Sequence, residues 1–291
     1  MVFGLAPGTR TLMLIDEQPG DHEDVPRGGR RGSISAAGSD RLTAVGTLRV
    51  GTSGWQYREW RPSIYPVGVP QRLWLERYAE LFDTVEINSS FYRLPTEGSF
   101  RRWAEATPDD FCFAVKASRY LTHVKRLRDP VAPVRLFASR ARQLGPKLGP
   151  ILLQLPPHFP CDPARLDATL EAFGTDVHVA VELRDERWHE ERVYEVLHRR
   201  GSALVWWDRR GTHGPLVRTT TWCYLRLHEG TARVAPAYGR RALATWCERI
   251  LTHYGDSLAG WVYFNNDRGA AAPRNALEFR RLAARAGIRG V

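Results

Sequence analysis

Eight short apolar runs occur along this 291-residue chain, and each of them ends on a polar residue. They lie at residues 48–52, 84–88, 111–116, 151–154, 177–182, 204–208, 223–228 and 260–265. Runs of this length that are rich in β-branched, aliphatic and aromatic residues are typical of strands buried on both faces. The chain is therefore expected to contain a parallel sheet.

Helical periodicity fills most of the segments between these runs. Apolar residues recur at helical spacing over 71–82, 97–106, 134–144, 163–173, 190–200, 241–254 and 276–286. Thr96 and Asp162 stand where a helix would take its N-cap, and Gly174 follows the end of the fourth helix. Residues 209–222 contain Gly211, Gly214 and Pro215 and do not favour a full helix.

The repeated order of strand and helix predicts the fold class. Eight such units in about 240 residues favour an α/β fold with a single (β/α)8 TIM-type barrel over residues 47–291, irregular between strands six and seven. An open doubly wound sheet is the alternative. Neither a dinucleotide fingerprint nor a P-loop motif is present in the sequence.

Residues 1–46 differ in composition from the rest of the chain. They are rich in Gly, Ser, Pro and charged residues and contain no Trp or Tyr. Such a segment buries too little apolar surface to offset the entropy lost on ordering, so we expect a disordered N-terminal tail. An over-extended start codon would explain the segment equally well.

The net charge of +10 raises the question of a nucleic-acid partner. Only Lys116, Lys125 and Lys147 are lysines among the 42 basic residues, a ratio that a GC-rich coding bias explains better than selection for a phosphate-binding face. The sequence contains no run of five or six like charges. Nucleic acid therefore stays open as a partner, without direct support from charge.

Other sequence features bear on location. The sequence has no apolar stretch near the roughly 18 residues that a membrane span needs, so no membrane partner is expected. The four cysteines form no C-x-x-C pair and are expected to be reduced thiols. The short apolar patch at 11–15 is unlike a signal peptide, and a cytoplasmic location is predicted.

In a parallel barrel the carboxyl ends of the strands converge on the face that carries active sites. The residues that end the strands are thus the predicted catalytic groups: Glu86, Lys116, Glu182, Asp208 and His228. Their neighbours at the same ends are predicted to bind substrate: Asn88, Arg184, Arg226, Asn265 and Asp267. A structural ion pair explains Glu86 equally well. A salt bridge to Glu86 or Glu182 would likewise explain Lys116.

A divalent metal ion is one candidate cofactor. Glu182, Asp208 and His228 end successive strands and are residue types that ligate such ions. Aromatic residues are dense near the strand ends, at Trp55 and Trp207 among others. They are expected either to pack as core or to form a stacking wall for sugars or bases.

Several motifs follow one another in an order that resembles a known family. They are GTSGW at 51–55, FDTVEIN at 82–88, FYRLP at 91–95, FAVK at 113–116, LGPILLQLPP at 148–157, VELR at 181–184, RLH at 226–228 and YFNND at 263–267. Over residues 49–284 the chain resembles the YecE-like family of bacterial barrels, a domain of unknown function. The chain departs from the family pattern at Leu183, Asp185 and Glu229.

The resemblance implies a TIM-type barrel and no established reaction. The family's barrel is similar to the divalent-metal barrels of the endonuclease IV and xylose isomerase group, which is an analogy of fold.

The leading hypothesis is an enzyme with a polar pocket at the carboxyl-terminal rim that acts on a phosphorylated or sugar-containing substrate, in its sharpest form a metal-assisted hydrolase or nuclease. A small-molecule or nucleotide-like substrate would suit such a pocket. A non-catalytic nucleic-acid-binding barrel and a metal-free small-molecule binding barrel are the alternatives. The oligomeric state is open.

Overall fold

The computed structural model describes residues 47–233, 236–255 and 258–288, so the predicted tail at 1–46 lies outside the described residues. The strands are β1 Leu48–Ser53, β2 Thr84–Ile87, β3 Cys112–Lys116, β4 Leu148–Gln154, β5 Val179–Glu182, β6 Ala203–Leu204, β7 Trp206–Arg209, β8 Thr212–His213, β9 Trp222–Glu229 and β10 Ala259–Phe264. They form one sheet in the order β6-β5-β4-β3-β2-β1-β10-β9-β7-β8. The β7–β8 hairpin is antiparallel, and the other pairs are parallel as predicted.

The sheet is curled, so that its two ends share one segment of chain. β6 pairs with β5 at one end of the strand order, and β7 pairs with β9 near the other end. Val205 alone separates β6 from β7, and its N–H donates to the carbonyl of Val181 at 2.9 Å. Residues 209–222, for which no full helix was expected, hold the short strand β8 and no helix.

Helices connect most of the parallel strands. They are α1 Trp74–Ala79, α2 Ser89–Tyr92, α3 Glu97–Glu105, α4 Val131–Ala141, α5 Pro163–Phe173, α6 Glu191–Arg199, α7 Arg240–Tyr254 and α8 Ala271–Arg285. The predicted caps are confirmed: Thr96 accepts from the N–H of Ser99, Asp162 accepts from the N–H of Arg165, and Gly174 has φ 80°. α2 was not predicted, because a single turn carries no measurable periodicity.

None of the helices in the described part of the chain has the length and hydrophobicity that a membrane span requires. The four cysteines, all of which are described, are free thiols as predicted.

Successive side chains of each strand point to opposite faces of the sheet, which produces two apolar layers. One set of side chains, such as Val85 and Ile87, packs between the sheet and the helices. The other set faces the space that the sheet encloses. There, small residues of β3, β5 and β6 oppose the large rings of β9 and β10: Ala114, Ala180, Ala203, Trp222, Tyr224, Trp261 and Tyr263. This inner layer fills the enclosed space below the carboxyl ends of the strands.

Gly51 in β1 shows how closely the strands and their connections are packed. A Cβ atom added at Gly51 would lie 2.2 Å from the carbonyl oxygen of Thr84, which is backbone and cannot move aside. We expect Gly51→Ala to lower the free energy of unfolding by about 1–3 kcal/mol, measured by urea denaturation. Gly98→Ala in α3 is the matched control, since its Cβ meets nothing closer than 3.5 Å. The control should be neutral or stabilising, and equal effects of the two substitutions would contradict the packing described.

Candidate active site

Arg226 and Glu86 form a buried ion pair inside the curled sheet. Arg226 lies on β9 and Glu86 on β2, and both side chains are at most 1% exposed. The pair is bidentate: Nε donates to Oε2 at 3.0 Å and Nη2 to Oε1 at 2.7 Å. The third nitrogen, Nη1, donates to Oε2 of Glu182 on β5 at 2.6 Å. One guanidinium therefore bridges two carboxylates from separate strands.

The remaining hydrogen-bonding capacity of Glu86 is also taken up. Its oxygens accept from the hydroxyls of Ser53 and Tyr224, at 2.8 and 2.7 Å, and from the amide of Asn88 at 3.1 Å. Burial by itself would raise the pKa of Glu86, but Arg226 outweighs it and holds the pKa below its usual value. Glu86 is an ionised carboxylate without a free lone pair, and its contacts favour a structural role over the predicted catalytic one.

Glu182 connects this buried pair to the carboxyl ends of the strands. Its Oε1 contacts Arg184 Nη2 and lies 3.3 Å from His228 Nε2. Burial would raise the pKa of Glu182, but Arg226 and Arg184 together lower it well below its usual range. The Arg184 side chain is 21% exposed and lies 5.9 Å over the ring of Trp207, so it is a cation accessible to solvent.

His228 is placed between this network and the end of β10. Its Nδ1 lies 3.1 Å from the side-chain amide of Asn265. Burial lowers the pKa of His228, and the opposing effect of Glu182 does not restore it. His228 is therefore neutral at neutral pH and can take up or release a proton.

Lys116 ends β3 at the same face. Within the described residues its Nζ has no hydrogen bond or ion pair, and it lies 4.4 Å from the ring centre of Phe91. Burial and the nearby Arg226 lower the pKa of Lys116 to about 8, against the opposing influence of Glu86 and Glu182. We call Glu86, Lys116, Glu182, Arg184, Arg226 and His228 the rim cluster.

Asp267 follows β10, and its carboxyl lies close to the hydroxyl of Tyr57. Burial raises the pKa of Asp267 to about 7, with the nearby Tyr57 hydroxyl acting in the opposite direction. The Tyr57 hydroxyl donates its proton to the carbonyl of Ser53 at 2.6 Å. Tyr57 was not among the predicted catalytic or substrate-binding residues. The sequence indicated it as one of the aromatic residues that are dense near the strand ends.

Asp208 does not lie in this cluster, where the sequence predicts it as a catalytic group or metal ligand. It lies on the outer face of β7, where it accepts from Tyr238 at 2.9 Å and from Trp246 at 3.2 Å. In the parallel register Trp207 pairs with Arg226, whereas Asp208 pairs with Leu227. Because paired residues of parallel strands point to the same face, Trp207 takes the inward position and Asp208 faces the helices.

The side chains present do not fit a divalent metal ion. No group of three or more His, Cys, Asp or Glu in the described ranges is placed to hold one. The guanidinium of Arg226 lies between Glu86 and Glu182 and supplies the positive charge that a metal ion would bring there.

Several polar atoms around the same face are buried without a hydrogen-bond partner. They are Asn88 Oδ1, Arg184 Nε, Trp207 Nε1 and Asp267 Oδ1. Buried polar groups are nearly always hydrogen-bonded. Two donors and two acceptors without partners at one face therefore indicate a place where water or a polar ligand binds.

Comparisons with known proteins identify the family. Residues 49–289 match the model of a family described as "Protein of unknown function DUF72". The UPF0759 protein YecE of Escherichia coli K12 is 31% identical over 174 residues, which cover 57% of this chain and 61% of YecE. The UPF0759 protein YunF of Bacillus subtilis is 30% identical over 157 residues, which cover 51% of this chain and 54% of YunF. The chain thus spans less than two thirds of the length of these relatives.

Solved structures agree with this assignment. A DUF72 family protein from Thermotoga maritima superposes with a TM-score of 0.71 at 28% identity, over 82% of this chain and 99% of that chain. A D-psicose 3-epimerase from Clostridium cellulolyticum superposes with a TM-score of 0.51 at 14% identity, over 82% of this chain and 96% of that chain, which is a likeness of fold alone. The chain therefore belongs to the DUF72 family, and the resemblance to YecE-like proteins is confirmed.

Proposed function

We propose that the protein is an enzyme that binds a phosphorylated substrate at the rim cluster and transforms it by acid–base chemistry, without a metal ion held by Glu86 and Glu182. The observation that carries the proposal is the ammonium of Lys116, which has no carboxylate partner at the end of β3 in the described part of the chain.

The charges of the rim cluster support an anionic ligand. Arg226 neutralises Glu86 and shares Glu182 with Arg184, so three cations face two carboxylates when Lys116 is counted. The surplus positive charge lies at Lys116 and at the partly exposed Arg184. Cationic donors of this kind make their strongest hydrogen bonds with phosphate and carboxylate oxygens.

The same face carries two groups that exchange protons near neutral pH. The pKa of Asp267 is about 7 and that of Lys116 about 8, while burial lowers the pKa of His228 and keeps it neutral. Perturbed pKa values of this kind cluster at functional sites. In the proposed mechanism Lys116 and Arg184 hold the phosphoryl group, and Asp267 or His228 transfers a proton to or from the substrate.

Lys116→Met tests the proposal through binding of inorganic phosphate, measured by isothermal titration calorimetry. A hydrogen bond to a charged group contributes about 1.5–3 kcal/mol, so the substitution should weaken binding by about 10–100-fold. Arg77→Met is the control, because Arg77 lies on the exposed surface of α1, already pairs with Glu80, and should leave the affinity unchanged. Absence of phosphate binding to the unmodified protein, or equal affinity in Lys116→Met, would refute the proposal.

We also infer that the curled sheet closes into a (β/α)8 barrel. Residues 203–209 would count as one strand that joins β5 to β9 through Val205, and leaving out β8 would give eight parallel strands. A crystal structure in which a gap separates residues 203–209 from β5 or from β9 would contradict this inference.

A further inference from the structure

An open groove lies beside Lys116 at the face that carries the rim cluster. It has a volume of about 520 Å³, and its walls include Phe91, Tyr92, Tyr120, Lys125 and Leu136. Tyr92 is 82% exposed, Tyr120 54% and Leu136 52%. Large apolar side chains that are exposed together mark a surface that binds something.

Phe91 joins the groove to the rim cluster. One side of its ring lies under the ammonium of Lys116, and the same residue lines the groove. The ring also packs edge-on against Tyr92 and His123. A ligand in the groove would therefore be continuous with an anion held by Lys116.

The chain that borders the groove is strongly basic. Between 116 and 128 it contains Lys116, Arg119, Lys125, Arg126 and Arg128 and no acidic residue. Arg119, Arg126 and Arg128 are exposed. Asp129 is the one acidic residue of the groove wall, and Lys125 neutralises it at 2.9 Å. The positive charge here is local, although the basic residues of the whole chain are spread out.

The backbone of this segment adopts conformations that are costly for non-glycine residues. Arg126, Leu127 and Asp129 have φ values of 49°, 60° and 44°. Leu127 is buried and anchors the turn, which leaves Arg126 and Arg128 at the surface. Backbone strain of this kind persists where the surrounding structure holds it, often at ligand-binding sites.

We infer that the groove binds single-stranded nucleic acid, with bases stacked on Tyr92 and Tyr120 and the phosphates along the basic segment as far as Lys116. Aromatic platforms combined with a positive surface are the features by which proteins bind single strands. A small ligand would be largely enclosed by its pocket, whereas Tyr92 is almost fully exposed. The inference rests on the proposed function, since it names the substrate class of the same site.

Fluorescence anisotropy with a labelled oligo(dT) of about 20 nucleotides tests the inference. Tyr92→Ala should weaken binding about tenfold. Tyr92→Phe keeps the stacking face and should bind with the affinity of the unmodified protein. Arg126→Gln should reduce the slope of log affinity against log salt by about 0.7, the value for one phosphate contact on a single strand. Arg285→Gln, at the end of α8 and at the opposite end of the strands, is the control and should leave the slope unchanged.

The outcomes separate this inference from the proposed function. If inorganic phosphate binds through Lys116 but the oligonucleotide does not bind, the inference is wrong and the proposed function stands. If neither binds, both are refuted. Equal affinity for a duplex of the same length, with no effect of Tyr92→Ala, would overturn stacking in the groove.

Discussion

Arg226→Met is expected to destabilise the protein by about 3–5 kcal/mol, because it leaves two buried carboxylates without their shared cation. The methionine fills much of the volume of the arginine stem, so the loss reflects charge rather than a cavity. Urea denaturation followed by circular dichroism at pH 7 measures it.

The pH dependence gives this prediction a second readout. In the unmodified protein the pKa of Glu86 is held below its usual 4.5, so its stabilising contribution is present above about pH 4.5 and is lost as the pH falls through the lowered value. Without Arg226, burial would raise the pKa of Glu86 above 4.5. In Arg226→Met the contribution of Glu86 to stability is therefore present at low pH and is lost as the pH rises through the raised pKa. The stability difference between the two proteins should therefore shrink from pH 7 to pH 5.

Two further variants serve as controls. Arg200→Met removes an arginine whose partners, Asp167 and Glu171, are on the surface, and it should cost at most about 1 kcal/mol. Adding Glu86→Gln to Arg226→Met removes the carboxylate that is left without a cation, while Glu182 keeps Arg184, and should recover part of the loss. A loss in Arg226→Met as small as that in Arg200→Met would show that the buried network does not hold the site together.

Trp261→Ala is the second substitution with a large expected effect, a loss of about 3–5 kcal/mol. Trp261 is buried in the inner layer, edge-on against Trp222 with ring centres 5.6 Å apart. Its Nε1 donates to the thiol of Cys112 at 3.4 Å. The residues opposite are alanines such as Ala180 and Ala203, which cannot expand into the space left by the indole.

Thermal and urea denaturation of three variants tests this prediction. Trp261→Phe should lose less stability, since a ring still fills part of the volume. Tyr92→Ala truncates an aromatic residue that is 82% exposed and should change stability by no more than about 0.5 kcal/mol. If Trp261→Ala resembles Tyr92→Ala, the inner layer does not support the fold as described.

Much of the architecture was predictable from local pattern. The eight apolar runs coincide with the parallel strands, with 204–208 divided between β6 and β7, and the seven predicted helices lie within a few residues of those observed. A strand or helix of this length has a strong internal periodicity, and the caps at Thr96 and Asp162 act within one turn. Those features depend on neighbours in sequence alone.

The candidate site was predictable in position and only partly in chemistry. Parallel strands bring their carboxyl ends to one face, and most of the predicted charged residues contact one another there, whereas Asp208 faces the helices. A polar residue at the end of an apolar run reveals the strand end but not which face the side chain takes. The break at Val205 and the register of β7 with β9 settle that question by turning Trp207 inward.

The roles of the charged residues depend on contacts between strands that are far apart in the chain. Arg226 reads from sequence as a substrate-binding group, yet it lies between Glu86 and Glu182, which come from β2 and β5. The distances between side chains across the enclosed space decide which cation pairs with a carboxylate of the protein. They also decide which cation remains available to a ligand. Periodicity carries no information about those distances. For that reason the tertiary structure alone distinguishes Arg226, which supports the fold, from Lys116, which has no ion pair among the described residues.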